Sequence, residues 1–325
     1  MAPVILAVAE VADGSLTRIS GEIATLARTL AAEAGGTAVG LVVDAAPGTA
    51  AAELAGYLPS VVAVTAPVTG AETWAPHAAA EILRLADEGV THVLLPTTTD
   101  GRDTGGIIVG LLGWGLLANA DGATWDGTGL VVESSVLGGK AITRSVLEGP
   151  TGIVTVHPGA VTAVESDARG TVEARTPAGS PVVPSVSILE RVAEAGSAVS
   201  LEEARVVVCG GRGMGSLEGF GIAEELAGLL GGVVGATRAA VDAGWISYAR
   251  QIGQTGKVVK PALYLGLGAS GAMQHRVGMQ ASEVIVAINR DPDAPIAECA
   301  DLLVIGDLFE VGPALAAELR ARRGG

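Results

Sequence analysis

A hydroxyl, two small residues and an imidazole stand close together in Ser270-Gly271-Ala272-Met273-Gln274-His275. Ser270 reads as a helix N-cap, and Gly271 and Ala272 leave the first turn bare, so its backbone N–H groups can face an anion. His275 follows about 7 Å further on if the helix rises about 1.5 Å per residue. One segment therefore offers a phosphate seat and, beside it, a group able to polarise an aromatic ring. That chemistry points to a dinucleotide cofactor. An apolar strand, Ala262–Leu267, precedes the segment, and a second, Glu283–Ile288, follows it and ends in polar Asn289-Arg290-Asp291.

Other polar loops share this placement. In ARVVVCGGRGMGS a strand runs into glycines spaced Gly211-x-Gly213-x-Gly215, with a helix expected from Ser216. The dinucleotide fingerprint G-x-G-x-x-G fits in no frame, so the turn reads either as a close approach for a phosphate or ribose, with Arg212 adding charge, or as a plain strand-to-helix turn. Arg238 sits just past a strand at Gly232–Val234, and Gln254-Thr255-Gly256 forms a polar turn further on. Asn289 and Asp291 lie beyond another strand end, and Asp307 either caps the last helix or reaches a ribose hydroxyl. Open α/β sheets place ligands at such carboxyl ends, and scattered surface polarity explains the clustering poorly.

The elements that must position these loops fall into two blocks. The first alternates strands (Val4–Ala9, Ala38–Val43, Val61–Val64, His92–Leu95) with helices (Ser20–Ala34, Ala50–Tyr57, Trp74–Glu88) and a further helix over Asp100–Leu117 capped by Asp100 or Asp103. The strands lack polar alternation, as expected where both sheet faces are covered. From Ala123 to Val192 the rhythm changes, and Leu130–Ser134, Ala141–Leu147, Ile153–Val156 and Thr171–Ala174 read as antiparallel strands. A polar, alanine-rich linker over Ser187–Glu203 precedes the second β/α block, which opens at Arg205–Cys209 and closes with a helix over Phe309–Arg322. The fold class is α/β: an N-terminal α/β domain with a β-rich extension (1–192), a linker (193–204) and a C-terminal doubly wound parallel-sheet domain (205–325).

Composition narrows the function classes. The chain has 325 residues, 20 Lys plus Arg against 35 Asp plus Glu, and a formal net charge of −15, which argues against general nucleic-acid or anionic-membrane binding. Cys209 and Cys299 form neither a disulfide framework nor a zinc set, so a reducing compartment is expected. The N-terminus enters a buried-strand pattern with no basic leader, and Gly105–Ala118 is too short and glycine-rich to span a bilayer; the expected location is the cytoplasm. His77, His92 and His157 lack metal-ligand spacing and read as structural, while Trp74, Trp114 and Trp125 read as packing anchors. Thr97–Gly106 has the layout of an anion site after a strand, with a vestigial pocket or a docking loop as the rival reading. There is no Ser-His-Asp set or carboxylate pair that wants explaining.

In order and spacing, GGRG, GATRAAVDAG, QIGQTGK, LYLGLGASGAMQH, VIVAINRDPDAPI and ADLLVIGDLFEVGP resemble the successive signatures of the electron transfer flavoprotein alpha subunit. The resemblance is dense from Arg205 to about Leu319. It is looser in the N-terminal half, where the opening strand, THVLLP and the LGGKA segment at Leu137–Ala141 carry it. It implies an FAD held mainly by the C-terminal domain. Arg238 would lie over the isoalloxazine ring, Thr255 near flavin N5 with Ile252, Gly253 and Gln254 beside it, and His275 near the C2 carbonyl. Ser270, Gly271, Ala272, Met273 and Gln274 would hold the pyrophosphate, assisted by Thr237, where some relatives carry Ser. Arg212, Asn289, Asp307 and Leu308 would line the ADP portion.

Those roles are physically coherent. Reducing a flavin places negative charge near N1 and the C2 carbonyl, which a guanidinium and an imidazole donor stabilise. A hydroxyl near N5 serves both redox forms because it donates and accepts. The resemblance implies a redox electron-transfer protein rather than a substrate-converting enzyme. It would take electrons from acyl-CoA and related dehydrogenases, in fatty acid beta-oxidation, and pass them to a quinone-linked oxidoreductase. The chain would be half of a heterodimer with a beta subunit that binds AMP, or a second FAD in electron-bifurcating relatives using NADH and ferredoxin. The rival reading is a nucleotide-binding scaffold without redox activity.

Overall fold

A computed structural model describes residues 2–68, 73–127, 129–137, 141–179, 186, 188, 201–202 and 204–323. Residues 138–140 of the LGGKA segment, and residues 193–200 and 203 of the expected linker, lie outside the described residues. The chain divides into two compact units, one built on Met1–Val136 and Ala141–Ala193, the other on Glu194–Gly325.

In the first unit β1 (Val4–Ala9), α1 (Arg18–Ala34), β2 (Thr37–Asp44), α2 (Gly48–Leu54), β3 (Ser60–Thr65), α3 (Trp74–Asp87), β4 (His92–Pro96) and α4 (Thr99–Leu112) alternate as the sequence predicts. The last helix starts slightly earlier and stops earlier than expected. Its cap is Thr98, whose Oγ1 accepts the Gly101 N–H at 3.0 Å, and the chain leaves the helix through left-handed Gly113. The apolar Leu116–Ala120 that follows is β5, a strand rather than the end of α4.

Only part of the β-rich extension is antiparallel. Among the described residues β6 (Gly122–Trp125), β7 (Leu130–Val136) and β8 (Ala141–Val146) form an antiparallel sheet. The other two strands, β9 (Gly152–Val156) and β10 (Thr171–Arg175), were expected to be antiparallel but pair parallel in the main sheet, whose order is β10-β3-β2-β1-β4-β9-β5. Every residue of β9 is buried, as a strand between parallel neighbours requires, whereas β10 is largely exposed at the edge. Successive residues of β1 feed opposite faces: Ile5 and Ala7 pack with Ile19, Ile23 and Leu30 of α1, and Leu6 and Val8 with Ile82 of α3 and Ile108 of α4. His92 is buried edge-on to Trp125 at 5.3 Å between ring centroids, and its Nδ1 lies 3.0 Å from the Thr91 hydroxyl. Its role is packing.

The second unit is a parallel sheet in the order β12-β11-β13-β14-β15, from β11 (Val206–Gly210), β12 (Val233–Ala236), β13 (Leu263–Leu267), β14 (Val284–Asn289) and β15 (Leu302–Ile305). Short turns of 3₁₀ helix at Arg212–Met214 and Glu218–Phe220 come before α5 (Gly221–Leu230), so the helix expected from Ser216 begins later. The remaining helices are α6 (Arg238–Asp242), α7 (Met273–Arg276) and α8 (Leu308–Arg323). On one face Val208, Leu265 and Leu267 pack with Phe220, Leu226 and Leu308. On the other, Val207, Cys209 and Tyr264 pack with Ile252, Met279 and Ile296. The order reverses at β11, so the carboxyl ends of β11 and β13 open a crevice at a topological switch point.

Candidate functional site

That crevice is a cavity of about 700 Å³, within the range of ordinary small-molecule clefts. Its lining draws on the loops the sequence singled out: Arg212 after β11, Thr237 and Arg238 after β12, Ile252 to Thr255, Ser270 to Ala272 with Gln274 and His275 after β13, and Asn289 after β14. Three expected contact residues are not in the lining. Met273 is mostly exposed, Leu308 is buried in the core, and Asp307 caps α8, its Oδ1 accepting the Phe309 N–H at 2.9 Å while Oδ2 pairs with Arg290. The Phe309 N–H first, then the Arg290 guanidinium, hold the Asp307 carboxyl below its ordinary pKa.

Backbone geometry builds the wall around Ser270, and differently from expectation. Ser270 does not cap α7; Ala272 stands at that position, and the helix is a single turn. The cause is Gly271, at φ +74°, which no helix accommodates. A Cβ there would lie 2.4 Å from the Ile296 nitrogen, so the chain presses against the loop after β14, where the Ile296 N–H bonds the Ser270 carbonyl at 3.0 Å.

The polar loop 251–257 is tied on both sides. The Ile252 N–H donates to Ala236 O at 2.9 Å, and the Gln254 N–H to Gln274 O at 2.7 Å. Gly253, at φ +144°, leaves room for that second crossing: a Cβ would meet Gln274 O at 2.8 Å. Buried Gln251 donates its amide to Thr255 Oγ1 at 3.0 Å. The amide occupies one lone pair of the hydroxyl and leaves its proton for another partner.

Charge and unsatisfied polarity mark the cavity. Arg238 is exposed at the mouth, its Nε 3.3 Å from Asp242 Oδ2. Thr237 Oγ1 is buried and has no hydrogen-bond partner within the protein, a state that costs free energy unless something entering the cavity bonds it. Asn289 donates to Ala269 O at 2.9 Å and accepts the Asp291 N–H at 3.1 Å, which fixes its amide at the wall.

His275 is tied to the protein at both ring nitrogens. It lines the cavity but is buried, with Nδ1 3.0 Å from the Ile252 carbonyl and Nε2 2.7 Å from the Tyr264 hydroxyl. Both ring nitrogens thus face protein partners instead of standing open toward a ligand carbonyl. Burial pushes the imidazole pKa down, against a smaller upward pull from the Ile252 carbonyl. Sequence reasoning missed Gln251, Asp242 and Tyr264. The only available signals were a glutamine flanking an apolar residue in RQIGQ and a lone phenol inside an apolar strand.

Comparison with known proteins converges on this half of the chain and on the other. A family model described as "Electron transfer flavoprotein FAD-binding domain" matches residues 200–280, and one described as "Electron transfer flavoprotein domain" matches residues 5–182. The chain is 40% identical to "Electron transfer flavoprotein subunit alpha" of Mycobacterium leprae, covering 98% of this chain and 99% of that one. It is 35% identical to the protein of the same description from Bacillus subtilis, covering 97% of each. It is 38% identical to "Protein FixB" of Clostridium saccharobutylicum over 74% of this chain and 73% of the other.

Proposed function

The chain belongs to the family of electron transfer flavoprotein alpha subunits, and from that premise we propose that it holds FAD in the second unit and works as half of a heterodimer with a beta subunit. The observation that carries the reading is the cavity lined jointly by Arg238, Thr255 and His275, with the buried Thr237 hydroxyl lacking a protein partner. Those residues fit a dinucleotide: small residues at Gly271 and Ala272, hydroxyls at Thr237 and Ser270, and guanidinium groups at Arg212 and Arg238 surround one space. When bound, the FAD supplies the redox chemistry, taking electrons from acyl-CoA or related dehydrogenases and giving them to a quinone-linked oxidoreductase.

The chain's own residues bind, orient and balance charge. Thr237 and Ser270 would hold the pyrophosphate through their hydroxyls, and Arg212 and Asn289 would hold the adenosine portion. Arg238, exposed at the mouth, would supply positive charge where the ring gains negative charge. Thr255, which accepts the Gln251 amide, would have its proton free for the ring edge. Asp307 and Leu308 support the wall: Leu308 packs close behind Gly268, and Asp307 fixes the start of α8. The first unit serves as the subunit interface, and the protein works in the cytoplasm; among the described residues no helix is long and apolar enough to cross a membrane.

Co-expression with the matching beta chain, followed by an absorbance spectrum, tests the reading. A yellow complex that bleaches with dithionite is expected. A colourless complex, or colour that survives Arg238→Ala with Thr237→Val unchanged in every property, refutes it. Flavin count per heterodimer distinguishes an AMP-binding partner from a bifurcating one carrying a second FAD.

A further inference from the structure

Resting on that reading, we propose that Tyr264 is a positioning residue for His275: together with the Ile252 carbonyl at Nδ1, its phenol, 2.7 Å from Nε2, holds the imidazole as the Nδ1–H tautomer and sets the ring edge that the cavity meets. A backbone carbonyl only accepts, so the 3.0 Å contact between Nδ1 and Ile252 O requires the proton on Nδ1. The neutral ring then presents Nε2 as a lone pair, and the Tyr264 O–H must donate to it.

Placement makes the phenol hard to explain otherwise. Tyr264 lies in the middle strand of its sheet, paired with Val207 on one side and Ile285 on the other, and is fully buried. It packs there with Val207, Ile252, Met279 and Ile296, with Cys209, Cys299 and His275 also beside it. A buried phenol without a partner would cost the fold free energy; among the described residues it meets the imidazole at 2.7 Å and also hydrogen-bonds with Cys209. The groups facing the imidazole hold no charge near neutral pH. Burial pushes the Cys209 thiol, 4.0 Å from Nε2, up to about 12, and raises the Tyr264 phenol well above its ordinary value. Arg276, the next residue, turns to Glu298. Tyr264 thus delivers to the cavity an uncharged imidazole held at both nitrogens.

Nitrogen-15 NMR of the heterodimer labelled at histidine tests this with and without FAD. The chain has four histidines, and His275→Gln identifies the signal by removing it. The expected wild-type result is one protonated Nδ1 and one bare Nε2, unchanged between about pH 6 and about pH 8. Tyr264→Phe keeps the ring's shape and should replace that single pattern by an Nε2–H form, a mixture, or a ring that titrates. A wild-type Nε2–H tautomer or imidazolium overturns the proposal even if the variant does not fold, and an unchanged pattern in a folded variant also overturns it. The tautomer is read independently of colour. A colourless complex with the expected pattern therefore sinks the flavin reading alone, and a yellow one with the wrong pattern sinks this inference alone.

Discussion

Replacing Thr237 by valine keeps the side chain's branching and removes its hydroxyl. The residue is 9% exposed, and Oγ1 has no partner within the protein. A buried hydroxyl left without a hydrogen bond costs about 1–3 kcal/mol, which a methyl group does not incur. The start of α6 is unaffected, because the Ala240 and Val241 N–H groups bond the Thr237 carbonyl, at 3.0 and 3.2 Å, and the side chain makes no cap bond. The cofactor-free protein should therefore gain roughly 1 kcal/mol or more in urea unfolding. If an anionic oxygen of the cofactor is the missing partner, the variant loses a charge-assisted bond worth about 1.5–3 kcal/mol, so FAD dissociates at roughly tenfold to a hundredfold higher concentration. Flavin fluorescence titration of the apo heterodimer reads that change. Stability and affinity should move in opposite directions. A variant that is less stable without cofactor and binds FAD like the wild type refutes the reasoning.

Gly271→Ala combines left-handed strain of about 1–2 kcal/mol with overpacking against Ile296 of about 1–3 kcal/mol; urea unfolding should show a loss of roughly 2–5 kcal/mol, and wild-type stability would contradict the crossing at Ile296. Arg238→Ala should lower the flavin midpoint potential by roughly 40 mV per electron, the equivalent of about 1 kcal/mol for one solvent-screened charge nearby; an unchanged redox titration places the guanidinium elsewhere. The Phe309 N–H and Arg290 keep Asp307 ionised below its ordinary pKa. Its stabilisation is therefore present above the unfolded-state pKa and lost as pH falls through the folded value. The stability gap between wild type and Asp307→Asn should be widest near neutral pH and close below about pH 4, and a gap independent of pH contradicts the assignment.

How much was legible in the sequence varied with how local the cause was. Apolar runs placed β1, β4, β13 and β14 nearly to the residue, because burial on both faces leaves a continuous apolar signature. The loops carrying Arg212, Arg238, Thr255, Ser270 and Asn289 were legible as one group because parallel β/α order alone puts their strand ends on one edge. The pairing direction of β9 and β10 was not, since strands reached by long connections choose their partners through tertiary packing. The end of α4 was misplaced because Leu116–Ala120 continues the apolar pattern, although Gly113 and Gly115 marked the break. Ser270 reads as a cap in the sequence because a serine followed by small residues fits that pattern, while the left-handed turn at Gly271 depends on a loop more than twenty positions later. The ties of His275 to Ile252 and Tyr264 join three separate elements, and no local spacing encodes them.

The most direct measurement is a crystal structure of the purified yellow heterodimer. The account predicts dinucleotide density filling the crevice at the ends of β11 and β13, with its pyrophosphate beside Thr237 and Ser270 and its ring flanked by Arg238 and Thr255. Density for the flavin outside that crevice, with the Thr237 hydroxyl still without a partner, would contradict it.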